Sequence, residues 1–184
     1  FEEATAVIDA KVGNNKIFSM STAAAVSNGN MKLYDNVIFC LSNQNLWTIY
    51  EPYHNTESSL ALAGWSKSDI FDSENDTRAN LVIMESSRLF SLKNVATQKK
   101  LATYVKDMLP MIRLGEMYFI RAEYNCSSGQ LTGRFEDELL DEVRREYFSE
   151  GQLFYYYKKL NITPSYDMTS TDQFVLPHPD NESL

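Results

Sequence analysis

Apolar residues recur at helical spacing in three stretches of the chain. In Glu2–Val12, Ala4, Val7 and Ile8 share a face with Lys11, and Gly13-Asn14-Asn15 reads as the turn that ends the helix. In Met111–Asn125, Met111, Leu114, Tyr118 and Ala122 form one face. Pro110 stands at the start, where a missing N–H costs nothing. Gly115 is expected to allow close approach of a packing helix. In Phe135–Ser149 the stripe is Phe135, Leu139, Val143 and Tyr147. Glu136, Asp137 and Glu138 crowd its first turn, which the helix dipole favours. Asp141 and Arg145 are spaced as an i,i+4 ion pair, and Gly151 marks the stop.

Strand signals are fewer. Val37–Leu41 reads as a short buried strand and Leu81–Met84 as another. Ala23 to Asn30 ends in the loop signal Ser27-Asn-Gly-Asn30. Ser42 to Asn80 has no sustained period and is rich in Ser, Asn, Asp and aromatics, the mark of a long irregular stretch that is either functional or disordered. The pattern predicts a mainly α protein with short strands and long loops. Leu114-Gly115, Tyr118 and Ala122 also match half of a tetratricopeptide pattern, with Met111 where Trp is usual.

At 184 residues with 43% apolar content, the chain is one domain or part of a larger one. A net charge of −8 argues against nucleic acid as partner, because phosphate contacts need clustered Lys and Arg. It argues equally against docking on anionic lipid. No apolar run reaches the length of a membrane span, and no signal-peptide pattern opens the chain. The start, Phe1-Glu-Glu-Ala4, lacks an initiator methionine and reads as helix, so the chain is expected to be a portion of a longer protein. Cys40 and Cys126 form no framework; Cys40 reads as a small buried hydrophobe and Cys126 closes a helix.

Nothing in the spacing of residues suggests catalysis, a cofactor or a metal. His54 and His178 are the only histidines, and no Cys-x-x-Cys, P-loop or nucleophile-elbow pattern is present. Glu51 and Glu57 flank an aromatic segment and are the best candidates for a glycosidase pair, although loop carboxylates are mostly solvated. The segment itself is more informative. Trp47, Tyr50 and Tyr53 lie within seven positions, and Trp65 follows. Sugar rings present apolar C–H faces that stack on aromatic planes, and Trp and Tyr add a hydrogen-bonding edge. Asn45 and Asn55, with Asn43 and Gln44, supply amides for hydroxyl groups. The plainer reading is that these rings pin the segment to the core. The run Phe154-Tyr-Tyr-Tyr157 lies on predicted helix and reads as core packing.

Several of these segments carry a resemblance. Leu109-Pro-Met-Ile-Arg-Leu-Gly-Glu-Met-Tyr-Phe-Ile-Arg-Ala-Glu123, followed by Glu142-Val-Arg-Arg-Glu-Tyr-Phe-Ser-Glu-Gly-Gln152, resembles the C-terminal signature of the SusD/RagB family. These are nutrient-capturing lipoproteins on the outer-membrane surface of Bacteroidetes. In family order, Glu3-Ala-Thr-Ala-Val-Ile8, Asp35-Asn-Val-Ile-Phe39, Asp76-Thr-Arg78 and Phe174-Val-Leu-Pro-His-Pro179 with Asn181 and Glu182 resemble further motifs. The chain departs from the family in three places. The interval Tyr124–Asp141 is short, Gln152 to Tyr157 replaces an Arg and aromatic-Asp pattern, and His178 stands where an aliphatic residue is usual.

The resemblance implies a SusD-like, tetratricopeptide-type helical fold, incomplete here. Residues 1–184 would be the C-terminal portion, with the N-terminal helical-repeat half and the lipid-anchored cysteine outside this chain. It implies no enzyme and no cofactor. It implies capture of an oligosaccharide at the cell surface and its transfer to a TonB-dependent SusC-like outer-membrane transporter. It favours Trp47, Tyr50, Tyr53 and Trp65 as ligand-binding rings, with Asn45 and Asn55 beside them. Peptide capture, as in RagB-type members, and a helical-repeat scaffold for protein partners are the alternatives.

Overall fold

The computed structural model describes residues 1–50, 52, 62–63, 66–71, 76–85, 88–93, 107–128, 134–163, 170 and 174–175. They fall into two compact units, Phe1–Glu146 and Tyr147–Leu184. Among them the chain is partly helical with short strands and no closed barrel.

In the first unit α1 spans Glu2–Asp9 and buries Ala4 and Ile8. It stops three residues short of the sequence expectation. Lys11–Val12 (β1) instead pairs with Asn15–Lys16 (β2), with Lys11 opposite Lys16. Gly13 turns this hairpin at φ +62, a conformation that costs glycine nothing and competes with a further helical turn. A short helix, α2 at Ala23–Ser27, follows with Thr22 as its cap: the Ala25 N–H donates to Thr22 Oγ1 at 3.1 Å. Val26 packs with Leu33 and Leu81 in a small core.

Val37–Ser42 (β3) pairs antiparallel with Met108–Arg113 (β7). Two expectations change here. β3 is not buried, since Phe39 is 50% and Leu41 48% exposed, and Cys40 is half-buried and free. Pro110 does not open a helix but sits in β7 opposite Cys40. A proline is tolerated there because, among the described residues, β7 pairs on one side only, beside a register shift in β3.

Residues 42–80 also hold more regular structure than expected. Leu46–Tyr50 is α3, Leu62–Ala63 is β4, Ser66–Ile70 is α4, and a 3-10 helix runs Thr77–Leu81. Val82–Glu85 (β5) and Arg88–Ser91 (β6) form an antiparallel sheet with β4 in the order β4-β6-β5.

The long helix α5 runs Leu114–Ser127 and packs on α1. Arg113 is its extended N-cap residue, and Glu116 Oε1 accepts from the Arg113 N–H at 2.9 Å. Its buried residues are Leu114, Gly115 and Phe119, so the inner face lies one position round from the predicted Leu114–Tyr118–Ala122 stripe. Arg134–Glu146 is α6. Val143 is fully buried on it, as its stripe predicts. The expected Asp141–Arg145 pair is not formed. Asp141 lies 3.7 Å from Arg144, and Arg145 turns to Glu142 and to the Ile70 carbonyl.

In the second unit Leu153–Leu160 is α7. The backbone reverses before it at Ser149 (φ +60) and Gly151 (φ +73). Asn161 closes α7 in the left-handed region, where the Ile162 N–H reaches the Tyr157 carbonyl at 3.2 Å. The tyrosine run splits by helical phase: Tyr157 is buried while Tyr155 is 71% exposed. Phe154 meets Phe174 edge to face at 5.7 Å, and Lys158 Nζ donates to the Phe174 carbonyl.

Candidate functional site

The aromatic segment is described in part. Asn45 is exposed, and its N–H donates to Asn43 Oδ1 at 3.0 Å, which turns the chain into α3. Trp47 lies on α3, with its ring outside the described part. Tyr50 ends α3 half-buried, and its hydroxyl donates to the Ser91 carbonyl at 3.4 Å. Burial pushes its phenol pKa up. Tyr50 thus ties α3 to β6. Tyr53, Asn55 and Trp65 lie outside the described residues, as do Glu51, Glu57, His54 and His178.

A second site emerges that sequence reasoning did not find. Asp76, at the head of the 3-10 helix, accepts from the Arg78 N–H at 2.9 Å and pairs with the Arg78 guanidinium at 3.0 Å. From that platform Arg78 reaches α6. Its Nη1 is 2.8 Å from Glu142 Oε1 and 3.3 Å from Glu146 Oε2, and its Nη2 donates to Glu142 Oε2 at 3.0 Å. Glu142 also accepts from Arg145 at 3.1 Å. Arg113, the cap of α5, stands 3.6 Å from Glu146 Oε1. Lys93 Nζ donates to the Glu146 backbone carbonyl at 2.9 Å, satisfying one of the orphan acceptors at the end of α6.

Glu146 is only 1% exposed. A buried carboxylate is tolerated only with its charge paired, and Arg78 and Arg113 do this from two sides. Burial pushes the Asp76 and Glu142 carboxyls up, but the Arg78 hydrogen bonds and charge outweigh it and hold both below the ordinary range. Burial opposes the Arg78 charge, and Glu142 and Asp76 overcome it, so the guanidinium stays protonated. The signal available in the sequence was the i,i+4 spacing of Glu142 and Glu146 beside the apolar stripe, with an Asp-x-Arg upstream.

Above this cluster α5 and α6 enclose a groove of about 1050 Å³. Tyr118, Phe119 and Ala122 form one wall, Leu139 and the acidic face of α6 the other, and Met20 reaches in from the chain before α2. Five carboxylates line it (Asp137, Glu138, Asp141, Glu142 and Glu146) against two arginines, Arg121 and Arg145.

Among the described residues no group of three His, Cys, Asp or Glu side chains is placed to hold a metal ion, and no helix is long and apolar enough to cross a membrane. Comparison of the chain with protein-family models, with curated proteins and with solved structures returns no match.

Proposed function

We propose that the chain is a SusD/RagB-type capture protein with a SusD-like, tetratricopeptide-type fold. In this reading it is held at the outer-membrane surface by a lipid anchor outside this chain. It binds an oligosaccharide and delivers it to a TonB-dependent SusC-like transporter. It performs no chemistry on the ligand.

The observation that carries the reading is the convergence of the motif segments. Asp76 and Arg78 belong to one motif, Arg113 and Gly115 to the first signature helix, and Glu142 and Glu146 to the second. Arg78 and Glu146 are 68 positions apart and yet share one ion cluster. The ligand-binding rings in this reading are Trp47, Tyr50, Tyr53 and Trp65, with Asn45 and Asn55 as hydroxyl partners. Tyr50 is half-buried, with its hydroxyl 3.4 Å from the Ser91 carbonyl.

The test is calorimetric titration of the protein with a panel of neutral oligosaccharides, beside thermal melts. Trp47→Ala or Trp65→Ala should weaken binding roughly tenfold, or about 1.4 kcal/mol, without moving the melting temperature. Absence of binding across the panel, or wild-type affinity in both variants, would defeat the reading. Glycan hydrolysis abolished by Glu51→Gln or Glu57→Gln would make the protein an enzyme instead.

A further inference from the structure

We draw no further inference here: the strongest candidate, the exposed apolar patch that Phe39 and Leu41 of β3 form with Met111 and Ile112 of β7 on the two-stranded sheet, carries nothing because nothing in the structure shows what covers it.

Discussion

Gly115 and Glu146 fit against each other with no atom to spare. A Cβ at position 115 would stand 3.3 Å from both Cδ and Oε1 of Glu146. Glu146 cannot retreat easily, because Arg78 donates to its Oε2 at 3.3 Å and the Arg113 guanidinium stands 3.6 Å from its buried Oε1. Glycine here is a packing requirement, since its backbone is ordinary helix. Gly115→Leu should therefore cost about 2 kcal/mol through overpacking. The check is chemical denaturation of the variant; an unchanged midpoint would mean that Glu146 does not lie against the start of α5.

Arg78 joins the 3-10 helix to α6. Arg78→Ala would leave the buried Glu146 facing only Arg113 at 3.6 Å, and Asp76 and Glu142 would lose their main partner. Breaking a buried ion cluster from one side typically costs about 3–5 kcal/mol. Arg78→Lys should recover only part of this, because an ammonium cannot bridge Asp76 and Glu142 with a planar fork. Full recovery by lysine would show that charge alone matters.

The same cluster sets an acid limit. Asp76 and Glu142 have folded-state pKa values below their ordinary 3.8 and 4.5. A depressed carboxyl contributes stability that is present above its unfolded pKa and is lost as pH falls through its folded pKa. Stability should therefore decline on acidification below about pH 4.5, and Arg78→Leu should flatten that decline. Denaturation midpoints measured from pH 6 down to pH 2 (roughly the range over which carboxylates titrate) test this. An equally steep slope in the variant would place the acid-sensitive groups elsewhere.

Lys32 predicts an opposite arm at alkaline pH. It is 3% exposed, and its Nζ donates to the Met108 carbonyl at 2.8 Å. Burial lowers its pKa from 10.5 to about 8, with Asp107 opposing and Arg113 assisting. Between those values the unfolded chain holds a proton that the folded chain has released, so stability should rise with pH across that window. Lys32→Met should remove the rise and gain stability near neutral pH. Melting temperatures of both proteins across this window would reveal it, and parallel curves would count against a buried lysine.

Some of this architecture is readable from the residues alone. Val143 shows this best: its place between Leu139 and Tyr147 marks a buried stripe, and it is 0% exposed. Helices at α1, α5 and α6 follow likewise from periodicity, because burial of one face repeats every turn and leaves its trace in neighbouring residues. Pro110 shows the limit. Its local sequence suits a helix start, yet pairing with Cys40, 70 positions earlier by number, makes the segment a strand. Strand pairing is a contact with a distant partner, and no local window contains it. Glu146 is the sharper case. A glutamate among Arg144, Arg145 and Glu142 reads as one more solvated charge, and only Arg78, Arg113 and the missing side chain at Gly115 make its burial possible. The groove has the same origin: its aromatic wall and its acidic wall belong to separate helices, and their composition predicts nothing until α5 and α6 stand face to face.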